Sequence, residues 1–168
     1  MVVGLLLVAA LVGAVIAVWA WLAAPAVCEG RNVRWDRFGY CLAAPEGWRT
    51  ADVPDPATDQ LFRPDGATTL TIQAVRTPAD LETFASLVRE AQSDEELRPG
   101  EVAPASVDGV DALSWDLELR ADRGPIHART VVFVSDGVGW RVQFADLADA
   151  FAEHEAELDA ILGSWRFL

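Results

Sequence analysis

Apolar and polar residues alternate along much of the chain, and a period of two is typical of β-strands with one buried face. Four stretches show this alternation: 69–75, 113–120, 126–134 and 140–144. The last three are joined by segments too short for a crossover, so the pattern predicts consecutive antiparallel strands, with the polar side of 113–120 facing water. Trp115 and Trp140 fall on apolar sides and are predicted core residues.

Two other stretches place apolar residues at helical spacing. The first follows Thr77-Pro78-Ala79-Asp80, which offers a capping hydroxyl, a proline for the first turn and an acid. We predict a helix that begins at this segment and ends at the acidic run 93–96. The second predicted helix covers about residues 147–162 and ends at Gly163, and residues 164–168 follow as a short edge strand.

The patterns before residue 69 are weaker. Residues 38–42 are predicted as a β segment, and residues 50–64 as a loop with one short strand. The whole order predicts an α+β fold, in which an antiparallel β-sheet is covered by two helices and preceded by an N-terminal transmembrane or signal helix. The predicted divisions are an anchor or signal peptide at 1–27, a linker or first strand at 28–37 and one domain at 38–168.

The first 27 residues form an uninterrupted apolar run without a charged side chain, long enough as a helix to span a bilayer. No basic segment precedes it, and Trp19 and Trp21 near its end favour a membrane interface, so we predict a retained single-pass anchor. The alternative is a signal peptide cleaved near Ala26, where Ala24-Pro25-Ala26 offers small residues, and the domain would then be secreted.

The side of the membrane is predicted from opposing signals. Arg31, Arg34 and Arg37 follow the apolar run and favour a cytoplasmic domain. Cys28 and Cys41 flank the same segment, and a disulfide between them requires an oxidising compartment. Two independent thiols are an equally open interpretation, and lipid modification of Cys28 fits its preceding residues poorly. We predict an extracytoplasmic domain.

Three segments carry a resemblance to a known family. They are FGYCLAAPEGW at 38–48, VDGVDA at 107–112 and FAEHEAELDAILGSWRF at 151–167. Together they resemble the PsbP-like family of small α+β sandwich domains, over about residues 33–168. The family takes its name from a photosystem accessory subunit and includes small secreted or lipid-anchored bacterial proteins. The resemblance implies a noncatalytic accessory or assembly role, without naming a ligand.

Charge and motifs narrow the classes of function. The formal net charge of -13 opposes binding to phosphate backbones, so we predict no nucleic-acid partner. The sequence contains no nucleophile elbow, dinucleotide-binding fingerprint, P-loop or zinc-protease motif, and nothing in it implies a cofactor. The leading hypothesis is a noncatalytic, membrane-tethered, extracytoplasmic domain that is not an enzyme and binds an unknown protein or envelope component.

Each hypothesis about function has its own candidate residues. Trp35 and Trp48 are the candidate binding residues, because no periodicity demands their burial. A small-molecule or metal-ion carrier is the alternative, with Asp52, Asp55 and Asp59 as candidate ligands for a hard cation. A hydrolase using His127 or His154 is the third hypothesis. We instead expect His154 at the core edge, bonded to a backbone carbonyl, and His127 on the sheet surface.

Overall fold

A computed structural model describes residues 27–93 and 97–168 of the chain. Within these residues the strands are β1 (Val33–Trp35), β2 (Tyr40–Leu42), β3 (Arg49–Ala51), β4 (Thr58–Phe62), β5 (Thr69–Arg76), β6 (Ala103–Val107), β7 (Val110–Ala121), β8 (Gly124–Ser135), β9 (Val138–Leu147) and β10 (Arg166–Phe167). The helices are α1 (Leu81–Ala91) and α2 (Phe151–Ser164). The predicted α+β class is confirmed.

Seven strands form one antiparallel sheet in the order β3-β4-β5-β9-β8-β7-β6. Tight turns at Asp108-Gly109 and Asp136-Gly137, all four residues with positive φ, join β6 to β7 and β8 to β9. The predicted run of three antiparallel strands is therefore confirmed as β7, β8 and β9. A smaller antiparallel sheet has the order β1-β2-β10, so the chain ends as the predicted edge strand.

The large sheet carries a helix on each face, and both faces contain buried apolar side chains. On the α2 face, Phe133 and Trp140 are direct cross-strand partners within the larger core. On the α1 face, Trp115 packs with Phe84 in a second cluster. Trp115 and Trp140 are both buried, as predicted, but they lie on opposite faces, and β8 separates their strands. The polar side of β7 lies on the α2 face of the sheet; Glu118 and Arg120 are exposed to water there, as predicted, whereas Ser114 and Asp116 are half-buried.

The larger core is rich in aromatic rings because the small sheet closes over it. Tyr40 of β2 stacks on Trp165 at a centroid distance of 4.2 Å and meets Trp140 edge-on at 5.3 Å. All three residues are almost completely buried. Burial of such large rings supplies much of the apolar area that stabilises the fold. This cluster fixes the small sheet, and hence β1, against the large one.

Both helices begin later than the sequence predicts. Asp80 is the N-cap of α1 and accepts a hydrogen bond from the Thr83 amide, whereas the Thr77 hydroxyl accepts one from Ala79 in the preceding loop. The segment 147–150, predicted as the start of α2, instead completes β9 and a turn, because Leu147 pairs with Ile126 of β8.

The end of α2 also differs from the prediction. Gly163 lies inside the helix, which ends at Ser164 with Trp165 as its C-cap. The Ser164 hydroxyl donates to the Ile161 carbonyl and accepts from the Ala43 amide. The helix end is thus fixed by contact with the chain after β2 and does not need a terminal glycine.

The predicted N-terminal anchor lies outside the described residues, so it stays a prediction. Within 27–93 and 97–168, neither helix has the length and apolar character needed to cross a bilayer. The segment predicted as a linker or first strand contains β1, and β3 is a strand that the sequence pattern did not reveal.

Candidate functional site

A cleft of about 480 Å³ lies between the small and large sheets and contains one of the candidate tryptophans. Residues from β1 and β3 and their neighbours line it: Asn32, Val33, Arg34, Trp35, Thr50, Ala51 and Asp52. Trp35 is half-buried, and its ring lies 5.3 Å from that of Tyr40. The aromatic core therefore holds Trp35 at the cleft wall.

The two strands that border this cleft are the outer strands of their sheets. Of the described strands, β1 pairs only with β2, and β3 pairs only with β4. An outer strand leaves backbone N–H and C=O groups without a sheet partner on its free side. The cleft thus combines an aromatic side chain with two short outer strands, and an extended peptide can add to the exposed edge of a sheet.

Trp48 does not belong to this cleft. Its indole N–H donates to Glu157 Oε2 at 2.8 Å, and its ring packs against Phe144 at 6.2 Å. These contacts tie the loop before β3 to α2 and the core. The two candidate binding residues are therefore separated: the cleft contains Trp35, whereas Trp48 has a packing role.

The three candidate cation ligands have different surroundings and do not form one site. Asp55 accepts from the Ala57 amide and the Thr58 hydroxyl in the turn before β4. Asp52 is exposed at the cleft. Asp59 is buried, accepts from the Tyr40 hydroxyl at 2.9 Å and forms an ion pair with Arg37 at 2.9 Å. Across 27–93 and 97–168, no group of three or more His, Cys, Asp or Glu side chains is placed to hold a metal ion.

Burial alters the acidity of the Asp59 and Tyr40 pair. Loss of solvent raises the pKa of Asp59 above its usual range, and the hydrogen bond from Tyr40 and the Arg37 guanidinium act in the opposite direction. Burial, followed by the Asp59 carboxylate, raises the pKa of the Tyr40 hydroxyl. Asp59 therefore serves as an internal hydrogen-bond acceptor that links β2 to β4.

His154 is bonded to a carboxylate, which corrects the expectation of a backbone carbonyl. Its Nδ1 lies 2.5 Å from Oδ2 of Asp146, a residue of β9 that is 1% exposed. The Thr68 hydroxyl donates to the same carboxylate oxygen at 3.0 Å, and the Leu147 amide donates to the other oxygen at 2.7 Å. The contact between His154 and Asp146 attaches α2 to β9. The hydrogen bonds from Thr68 and Leu147 satisfy the buried Asp146 carboxylate.

His127 lies on the α2 face of the sheet, and the start of α2 leaves it half-buried. Its ring is 4.0 Å from that of Phe151, and its Nε2 is 3.6 Å from Asp116. Among the described residues, no hydroxyl or thiol forms a hydrogen bond with either imidazole. A hydrolytic serine or cysteine mechanism needs such a pair, so the geometry gives the hydrolase hypothesis no support.

The two cysteines are joined by a disulfide in the structure, with Cα atoms 5.9 Å apart. Cys41 is completely buried in β2, and Cys28 lies at the start of the described chain. The Arg31 guanidinium also donates to the Ser164 carbonyl at 2.6 Å. Together these contacts fasten the segment after residue 27 to the folded domain.

Comparisons with known proteins identify the fold but not a family. No family model matches the chain, and no curated protein matches it. Cyanobacterial PsbP (CyanoP) from Synechocystis sp. PCC 6803 aligns with a TM-score of 0.61 and 13% identity, over 82% of this chain and 91% of that one. A protein from Bacteroides thetaiotaomicron VPI-5482 aligns with a TM-score of 0.57 and 10% identity, over 77% of this chain and 45% of that one. The chain has a PsbP-like fold, as its sequence motifs predict.

Proposed function

We propose that this chain is a noncatalytic binding or accessory protein that works outside the cytoplasm, and that its cleft between β1 and β3 binds an extended segment of a partner protein. Residues 1–27 would hold it at the membrane as a single-pass anchor. The observation that carries the proposal is that two outer strands and Trp35 line the same cleft.

The other outer strand of the large sheet supports this choice of site. β6 contains Pro104, which has no backbone N–H and therefore weakens that edge as a template for strand addition. β1 and β3 contain no proline. Each has only three residues, so backbone pairing alone would give weak binding, and Trp35 would add the specific contact.

Two further observations support the proposed location and class. A disulfide persists in oxidising compartments, which agrees with an extracytoplasmic domain. The PsbP-like fold is shared with a protein named as cyanobacterial PsbP, and the family resemblance implies accessory roles. The disulfide thus supports the proposed location, and the fold supports an accessory role.

Site-specific photo-cross-linking in intact membranes tests the proposal. A photoreactive residue in place of Thr50, which is exposed on β3 in the cleft, should give one discrete cross-linked protein product. Trp35→Ala should reduce that product at least about fivefold, because an aromatic anchor at an interface commonly contributes more than 1 kcal/mol. Trp48→Phe is the matched control outside the cleft and should leave the product unchanged.

A second probe position makes the result specific to the cleft. Arg120 is exposed on β7, with four strands of the sheet between β7 and β3. A photoreactive residue at position 120 should not give the same product. The proposal is wrong if the two positions give the same pattern, or if Trp35→Ala leaves the Thr50 product intact.

A further inference from the structure

A second recess, independent of the cleft, lies between α1 and the large sheet. It is an open groove of about 340 Å³ beside β5 and β9, and its surface is predominantly apolar. The exposed wall includes Val75 and Leu87, which are 54% and 55% exposed. Large apolar side chains that remain this exposed around a common recess are typical of a binding surface.

The groove exists because α1 covers only part of its face. The helix packs against β7, β8 and β9, and Phe84 lies directly over Gly139, where an added Cβ would be 2.6 Å from the ring. Because α1 packs closely on β9, another side of the helix, which bears Leu87 and Ala91, faces β5 across the groove. The apolar walls thus belong mainly to α1 and β5.

The polar feature of the groove is Arg141 of β9. It lies on the α1 face, opposite Gln73 on β5 and Val132 on β8. Among the described residues, its buried Nε has no hydrogen-bond partner and Arg141 forms no ion pair. Arg63, which also has a buried unbonded nitrogen, forms ion pairs with Asp65 and Glu157.

An unpartnered guanidinium in such a place is costly to the fold. Burial removes water from the charged group, which lowers the pKa of Arg141, and a buried donor without an acceptor costs about 1–3 kcal/mol. Acidic residues outnumber basic ones by 26 to 13 in the whole sequence, yet within 27–93 and 97–168 no carboxylate lines the groove. The charge is therefore available to an anion that enters from outside.

We propose that this groove binds a small amphipathic carboxylate, with an aliphatic chain between α1 and β5 and its carboxylate on Arg141. A planar guanidinium suits a carboxylate because it can donate two parallel hydrogen bonds. The volume is at the low end for small-molecule sites, which favours a single aliphatic chain over a bulky ligand. A neutral apolar ligand would leave the Arg141 donors unsatisfied.

Calorimetric titration of the full chain in lipid nanodiscs with octanoate tests this proposal. After subtraction of empty nanodiscs, the wild type should show saturable binding. Arg141→Gln should weaken that binding at least about tenfold, because a hydrogen bond to a charged group contributes about 1.5–3 kcal/mol. Octanol, which has the same chain without the charge, should bind the wild type more weakly than octanoate.

Two variants control for charge and for folding. Arg120→Gln removes one positive charge from the exposed α2-side face of β7 and should leave octanoate binding unchanged. Leu87→Asp places a negative charge on the exposed groove wall and should abolish binding, so it carries the test if Arg141→Gln fails to fold. Arg141→Gln itself should not lower the melting temperature, because Nε has no partner to lose.

The proposal is overturned by any of three results. The first is that the wild type shows no saturable octanoate binding. The second is that a folded Arg141→Gln or Leu87→Asp variant binds octanoate as tightly as the wild type. The third is that the wild type binds octanol and octanoate with equal affinity. None of these results bears on partner binding in the cleft, because the groove and the cleft share no lining residue.

Discussion

Asp116 shows how one half-exposed carboxylate is used by the fold. Arg129 donates to its two oxygens at 2.7 and 3.2 Å and also forms an ion pair with Glu155 of α2. These hydrogen bonds hold the pKa of Asp116 below its usual range. Because the folded-state pKa is the lower one, ionised Asp116 stabilises the fold above about pH 4, and that stabilisation is lost as the pH falls through the folded-state pKa.

Asp116→Asn should therefore have a pH-dependent effect. We expect the free energy of unfolding at pH 7 to fall by roughly 1 kcal/mol, a small value because 42% of the Asp116 side chain is exposed to solvent. The difference from the wild type should shrink as the pH falls below about 4 and should disappear only below the folded-state pKa. Urea unfolding from pH 2.5 to 7 measures it, with Asp122→Asn at the exposed β7–β8 turn as control. An equal difference at all pH values would contradict this account.

At the residue scale, the sequence could identify candidates but not their partners. The alternation pattern correctly predicts burial of Trp115 and Trp140, because burial depends on local spacing. It gives no sign that Asp146 bonds to Thr68, because the two residues are 78 positions apart in the chain. Arg141 alternates with apolar residues as an exposed strand residue would, and only the position of α1 places it in a groove.

At the scale of elements, two glycines that look alike in the sequence have different surroundings. Gly139→Ala would bring a methyl group against the Phe84 ring, and we expect it to lower the free energy of unfolding by about 1–3 kcal/mol. Gly163 lies in α2, and no heavy atom of the described residues is within 4 Å of an added Cβ, so Gly163→Ala should raise the free energy of unfolding by roughly 0.5–1 kcal/mol. Urea unfolding of both variants measures these changes.

A further substitution tests the cause of the Gly139 effect. Phe84→Leu should reduce the loss caused by Gly139→Ala, because the two changes act on the same contact and should not be additive. If the two changes lower the free energy of unfolding additively, or if Gly139→Ala raises it, then Phe84 of α1 does not pack against this glycine.

The elements also show why the sequence predicts some boundaries better than others. The long strands β7, β8 and β9 are predicted well because each contains many residues that alternate between the two faces of the sheet. The short strands β1 and β3 have three residues each, too few to establish a period. Leu147 fits both a strand and a helix pattern, and its pairing with Ile126 decides for the strand.

At the scale of the whole molecule, the PsbP-like arrangement places the two candidate sites on different elements. The cleft lies between β1 and β3, whereas the groove lies between α1, β5 and β9. The class of fold and the order of the long strands could be predicted from the sequence. Neither recess could be, because each forms between elements that are distant in the chain and meet only in the folded structure.

The proposed location depends most directly on the disulfide between Cys28 and Cys41. The decisive measurement is thiol alkylation in intact cells, followed by membrane fractionation and a mass shift for each alkylated cysteine. The account predicts a membrane-bound chain in which neither cysteine reacts until a reductant is added. A chain recovered from the cytosol with both cysteines alkylated without reductant would contradict it.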